Sequence, residues 1–340
     1  MNINTLCSHA CRVRAWVLCI IVLNVFCACS DDVKVITVFP VNQELEGCQI
    51  KALDSLYNAY SIMKLDNRYL LAIKGEDDFV CICDSDFRVV GKCLKRGHGS
   101  HEWTAPLVTG QRADVKGKTG AYILERGESR LFAVNLDSLT DTPVKIEDFS
   151  NGQLYGINYV YRTGVGKYIG SRLGESAELF TYDAVRGIVQ PVQIAAMAPS
   201  AFSANKFELS QTSATYSDAQ EKLAVAYFSF PVIHILNDNG EDPVTLQLEK
   251  DMPEYTSMNA SSPHVYLVDI CSTEDYIYIL YDNPEDSRKM NILAIGWNGA
   301  PAARYDVPRL TCFTVDEVNK RFIGLAEDDT AGVGFEFSYK

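Results

Sequence analysis

Beyond residue 32 the chain reads as short runs in which apolar and polar side chains alternate, separated by clusters of Gly, Asn, Asp and Ser, without convincing amphipathic-helix periodicity. Period-two alternation places successive side chains on opposite faces of a strand. The runs recur as pairs. The second member of each pair is Phe79–Asp84, Arg130–Asn135, Glu178–Asp183, Val232–Asn237, Met290–Ile295 or Gly334–Tyr339. Its partner just upstream is Tyr69–Ile73, Gly120–Glu125, Lys167–Ser171, Leu223–Tyr227, Tyr276–Tyr281 or Arg321–Leu325. Successive copies start about 50 residues apart, the spacing of four-stranded propeller blades. Six copies predict an all-β chain folded as a six-bladed β-propeller of four-stranded antiparallel blades, a single domain over residues 29–340.

The sixth copy reaches Lys340 without room for a fourth strand, which would leave that blade with an unpaired edge. At the other end Val33–Phe39 alternates like an edge strand and is stopped by Pro40. It is expected to complete the last blade and close the ring.

The first 28 residues follow a different pattern. They contain no acid, carry Arg12 and Arg14, and run into the apolar stretch Ala15–Phe26, interrupted only by Asn24. A charged start followed by an apolar segment shorter than the roughly 20 residues of a membrane-spanning helix predicts an export signal. Its end, Phe26-Cys27-Ala28-Cys29-Ser30-Asp31-Asp32, resembles a bacterial lipobox, which implies lipid attachment at Cys29, with Cys27 as the rival acceptor. The acids after the cysteine resemble a tag that sends lipoproteins to the outer cell surface. A lipid-anchored protein of the outer membrane, facing the periplasm or the exterior, is the expected form, with its membrane contact made through the acyl chains.

Loss of residues 1–28 would take the net charge from −13 to −15. A body this acidic repels phosphate backbones, so nucleic acid is not an expected partner. Cys48, Cys81, Cys83, Cys93, Cys271 and Cys312 lie beyond the export segment. They show no short repeated spacing, and Cys81 and Cys83, two apart in a strand, read as buried apolar residues.

The segment Asp84-Ser-Asp-Phe-Arg-Val-Val-Gly-Lys92, followed by Arg96-Gly-His-Gly-Ser-His-Glu-Trp103, is similar to the blade ending of TolB-like and NHL-like six-bladed propellers. In those families an outer strand leads through a glycine-rich turn to an acid and an aromatic. Here His98 and His101 stand where small residues or proline are common. The other blades share the strand pattern only.

Two groups of residues are candidates for binding. Arg96, His98, His101, Glu102 and Trp103 bring a guanidinium, two imidazoles, a carboxylate and an indole into eight positions, a set suited to a metal, a sugar or a peptide carboxylate, although His98-x-x-His101-Glu102 in a glycine-rich turn is not a zincin signature. The competing reading is a connector between blades, with Glu102 capping backbone amides and Trp103 wedged between sheets. The second group is the turn between the second and third strands of each blade, all on one face. It carries Glu76, Asp77 and Asp78; Glu128; Glu175; Asp282, Glu285 and Asp286; and Glu327, Asp328 and Asp329, while blade four has Phe228–Pro231 instead. Such a rim could attract a basic partner or Ca²⁺, the one cofactor considered, or simply solvate hairpin tips. Tyr155, Tyr159, Tyr161, Arg162 and Arg172 gather in blade three, where core packing accounts for most of the tyrosines.

No Gly-x-Ser-x-Gly elbow, phosphate-binding loop or dinucleotide fingerprint is present. The expected function is a binding module for a protein or glycan partner at the cell envelope. The alternative is a carbohydrate-active hydrolase or lyase, which would require carboxylates about 5 to 10 Å apart in the channel.

Overall fold

The computed structural model describes residues 33–340, apart from 57, 100, 101, 139–141, 153, 195–204, 242, 257–260, 285, 329 and 330. Three short strands, β1 (Val33–Val35), β2 (Val41–Glu44) and β3 (Cys48–Gln49), precede the blades. Blade one is β4 (Ala59–Leu65), β5 (Arg68–Ile73), β6 (Asp78–Cys83) and β7 (Val89–Lys95). Blade two is β8 (Pro106–Val115), β9 (Lys118–Glu125), β10 (Arg130–Asn135) and β11 (Val144–Asp148). Blade three is β12 (Ile157–Gly164), β13 (Lys167–Leu173), β14 (Ala177–Asp183) and β15 (Ile188–Pro191). Blade four is β16 (Thr212–Ser217), β17 (Lys222–Tyr227), β18 (Val232–Asn237) and β19 (Val244–Gln247). Blade five is β20 (Leu267–Ser272), β21 (Tyr276–Tyr281), β22 (Lys289–Gly296) and β23 (Pro301–Pro308). Blade six is β24 (Cys312–Asp316), β25 (Arg321–Asp328) and β26 (Ala331–Ser338), completed by β3.

The six paired runs are the second and third strands of the six blades, antiparallel as expected; Leu223 faces Leu236 and Phe322 faces Phe337. These strands are almost continuously buried, as in Val232-Ile-His-Ile-Leu236. Antiparallel sheets often leave one face in water. A blade has a neighbour on both faces, so both sets of alternating side chains are covered. Ile233 and Ile235 pack toward blade five, while Leu236, turned the other way, joins Tyr159, Tyr161 and Ile169 of blade three.

The hydrophobic core is correspondingly divided. One cluster fills each of the six gaps between neighbouring blades, and a small seventh gathers Leu209, Phe230 and Val232 beside the aromatic turn of blade four. Each fully buried Leu, Ile or Phe in these gaps contributes roughly 1.5–3 kcal/mol of transfer free energy.

An N-terminal strand does close the last blade, but through other residues than Val33–Phe39. Cys48 and Gln49 face Glu336 and Phe335, and the Ile50 amide donates to the Gly334 carbonyl at 2.7 Å. The segment upstream runs along the outer edges of two earlier blades: β1 adds a fifth strand beside β19, and β2 lies parallel to β23. Ile36 and Phe39 are buried against blades four and five, and Leu45 against blades five and six. Alternation identified the segment as an edge strand; which free edge it meets depends on where the intervening residues lead the chain. Cys29, Cys27 and the export segment lie outside the described residues. Among the described residues no helix is long and apolar enough to cross a membrane.

Candidate functional site

The first strands of the blades, β4, β8, β12, β16, β20 and β24, line a central channel. Their side chains tie blade to blade: the Tyr159 and Thr212 hydroxyls lie 3.1 Å apart, those of Thr215 and Ser272 2.7 Å apart, and the Lys64 amide donates to Thr314 Oγ1 at 3.0 Å.

The lower end of the channel is shaped by an irregularity in β8. Val108 faces Ile123, but Arg112 faces Ala121, so two extra residues are accommodated on β8 between them. Gly110, at φ +83°, allows this excursion, which most side chains would resist. The bulge re-aims Gln111, whose side chain is almost fully enclosed. Its amide nitrogen donates to the Arg162 carbonyl and to Asp218 Oδ1, both at 2.7 Å, and its oxygen accepts the Arg162 amide at 2.9 Å. One glutamine thereby joins blades two, three and four.

Above it lies a cleft of about 400 Å³, lined by hydroxyl and amide side chains that include Ser61, Thr109, Asn158, Thr212 and Ser213. Arg126, Gln211 and Phe228 place its mouth on the face that carries the second-to-third-strand turns. Among the described lining residues there is one carboxylate, Asp269. It accepts the amides of Ile270 and Phe313, both at 2.9 Å. Removal from bulk water outweighs these two donors and raises its carboxyl to about 7, although part of its surface still opens to the channel void. The neighbouring Cys271 thiol is likewise pushed well above its ordinary value, first by burial and then by the charge of Asp269.

The residues singled out from sequence lie elsewhere. Arg96 Nε and Nη2 donate to the carbonyls of Glu76 at 2.7 Å and Ile73 at 2.8 Å, and its guanidinium stacks 3.5 Å over the Phe79 ring. Trp103 is buried between blades one and two, edge-on to Phe132 at 4.9 Å. Glu102 accepts the Gly99 amide at 2.9 Å and meets Lys95 at 3.3 Å; these two partners, the amide foremost, hold its carboxyl below the usual range. His98 is exposed at a cleft of about 330 Å³ shared with Glu102, Trp103, Glu128 and Arg130, and His101 lies outside the described residues. The structure thus gathers the loop with one rim acid, away from the channel.

The rim acids keep company with bases. Glu76 pairs with Lys92, Glu128 with Arg130 at 2.5 Å, and Asp286 with Arg288 at 3.8 Å. Asp282 takes Arg309 bidentately at 2.9 and 2.7 Å. The Asp77 carbonyl accepts the Arg96 amide, Asp78 opens β6, and Glu175 sits in the β13–β14 turn. Glu327 and Asp328 end β25, while Glu285 and Asp329 lie outside the described residues. With four of the acids paired locally, the face carries less net negative charge than a count of turn acids implies.

Reading strands from sequence passed over Gln111 and Asp269. Both left a trace: Thr109-Gly110-Gln111 interrupts the alternation of β8, and Asp269 is a lone acid in Tyr266-Leu-Val-Asp-Ile-Cys271.

No known family matches the sequence, and no curated protein does. Solved structures are similar in fold. One is a protein of Bacteroides fragilis named for its presumed export, 12% identical, covering 90% of this chain and 100% of its own, with a TM-score of 0.51. Another, a member of the DUF4221 family from Bacteroides vulgatus, is 12% identical, covers 87% and 98%, and also scores 0.51. The calcium-binding protein regucalcin from Agrobacterium tumefaciens is 10% identical over 87% and 95%, with a TM-score of 0.49. At these identities the likeness concerns the six-bladed fold.

Proposed function

We propose that the chain is an exported, lipid-anchored binding module of the cell envelope that holds a glycan in the mouth of its central channel. One observation carries this reading: the channel walls present hydroxyl and amide groups from several blades around one carboxylate among the described lining residues, Asp269. Sugar hydroxyls both donate and accept, so they are matched by Ser, Thr and Asn side chains and by a carboxyl that can do either. Hydrolysis of a glycosidic bond ordinarily draws on two carboxyl groups. With one acid among the described lining residues, binding is favoured over turnover. Export is supported by the charged and apolar start of the chain and by the likeness to a protein named for its presumed export. Placement within the TolB-like or NHL-like branch belongs to the same proposal and rests on the Asp84–Lys92 and Arg96–Trp103 pattern.

A glycan array, followed by calorimetry and a turnover assay on every hit, tests the reading. Saturable binding without product, weakened at least tenfold by Thr212→Val or Asp269→Asn, is expected. Substrate loss without stoichiometric binding would establish the hydrolase or lyase instead. Acyl labelling in cells should disappear in Cys29→Ser and persist in Cys27→Ser.

A further inference from the structure

On the side of the ring opposite the channel mouth, the turns between first and second strands of blades two, three and four surround a cleft of about 560 Å³. Four charged side chains in its lining have no ion-pair partner among the described residues: Arg162, Lys118, Asp114 and Asp218. Two bases and two acids thus line a single cleft.

The geometry keeps the opposite charges apart. Arg162 Nη1 donates to the Tyr122 hydroxyl at 2.7 Å, and Nε to the Gly164 carbonyl at 3.1 Å, so the guanidinium is held in place by neutral groups. Asp218 is held by the Gln111 amide at 2.7 Å, and the same glutamine grips the Arg162 backbone. Gln111, aimed by the β8 bulge, therefore holds the Asp218 carboxylate and the Arg162 backbone, while the Arg162 guanidinium is directed to Tyr122 and Gly164. Asp114 accepts the Gly117 amide at 2.7 Å and has no ion-pair partner among the described residues. Partial burial raises the Asp218 carboxyl, with the Gln111 hydrogen bond opposing. The exposed Val165 offers an apolar foothold at the edge.

We propose that this cleft is a second binding site, for a zwitterion of the amino-acid or short-peptide class, with the ligand carboxylate on Arg162 and Lys118 and its ammonium on Asp218 and Asp114. A ligand carrying both charges satisfies all four groups at once. Fixed donors and acceptors lower the ordering cost of doing so. A purely anionic ligand would meet two carboxylates, and a purely cationic one a guanidinium and an ammonium.

Calorimetry on the purified protein with alanine, dialanine and trialanine, and with N-acetyl-dialanine and dialanine amide, tests this. Sub-millimolar binding of at least one free ligand is expected, with the best length separating amino acid from peptide. Either end-blocked dialanine should bind at least tenfold more weakly than dialanine itself. Asp218→Asn, which keeps an acceptor for Gln111, should shrink the penalty for N-acetylation at least threefold, and Arg162→Gln the penalty for amidation, the remainder being carried by Asp114 and Lys118. Equal binding of blocked and free forms, absence of binding at millimolar ligand, or an unchanged selectivity in Asp218→Asn would overturn the proposal. The asparagine variant decides the matter even if the Arg162 change loosens the fold.

Discussion

The Tyr69 hydroxyl donates to Asp316 Oδ2 across 2.9 Å, joining blade one to blade six at the point where the ring closes. Asp316 is almost wholly enclosed and also receives Arg321 Nε at 3.1 Å, Asn319 Nδ2 at 2.8 Å and Lys64 at 3.2 Å. Burial alone would push its carboxyl up, but the hydrogen bonds from Asn319, Tyr69 and Lys64 outweigh it and bring it to about 2.

Asp316→Ala leaves Arg321 and Lys64 without their shared partner and should cost about 3–5 kcal/mol in urea denaturation. Tyr69→Phe keeps the stacking on Phe87 but removes the bond donated to Asp316 and the one accepted from Arg321 Nη2 at 3.2 Å, and should cost roughly 1.5–3 kcal/mol, hydrogen bonds to charged groups being the stronger kind. Asp286→Ala, at an exposed pair, should change stability by less than about 1 kcal/mol. Similar effects at the seam and at Asp286 would contradict the role assigned to the seam. Because the folded pKa of Asp316 is depressed, its stabilisation is present above about pH 4 and is lost as pH falls toward 2.

Two other buried groups give opposing slopes above that range. Burial depresses His234 to about 4, and its Nε2 has no partner among the described residues. The unfolded chain takes up this proton first, so stability falls by up to about 3 kcal/mol as pH drops from about 6.5 toward 4. Asp269, raised to about 7 by desolvation, holds a proton that the unfolded chain has released. Its contribution is present at low pH and is lost as pH rises from about 4 through 7, by at most about 4 kcal/mol. In the wild type the two largely offset. We expect His234→Leu to gain stability and Asp269→Asn to lose it between about pH 7 and pH 5, as read by urea melts. Parallel profiles for both variants and wild type would refute the assignment.

Phe39 and Ile36 reach the core between blades four and five, whereas Val33, Val35 and Val38 are exposed. Phe39→Ala should therefore cost about 3–5 kcal/mol, and Val38→Ser less than about 0.5 kcal/mol. Equal, small effects on the thermal midpoint would show that this segment does not support the ring.

Trp103→Ala removes the buried ring between blades one and two and should cost about 3–5 kcal/mol, while His98→Ala, at an exposed position, should leave the melt within about 0.5 kcal/mol. Full stability of the Trp103 variant combined with loss of glycan binding would restore the loop as the binding site.

Much of the architecture was legible because it is written in short-range pattern. Period-two alternation, the turn residues and a spacing of about 50 residues specify six similar sheets, and sheets with apolar side chains on both faces must stack. The order of strands within blades one to three follows from hairpin connections alone. Tertiary structure decided the rest. Whether Val33–Phe39 or Cys48–Gln49 meets the free edge of β26 depends on the path of the chain around the ring. Gln111, Arg162 and Asp218 come from three blades, and their hydrogen bonds exist only once a bulge in one strand is set against its neighbours. The same holds for Asp269, an ordinary acid in sequence, whose raised pKa arises from enclosure by blades that no local pattern brings together.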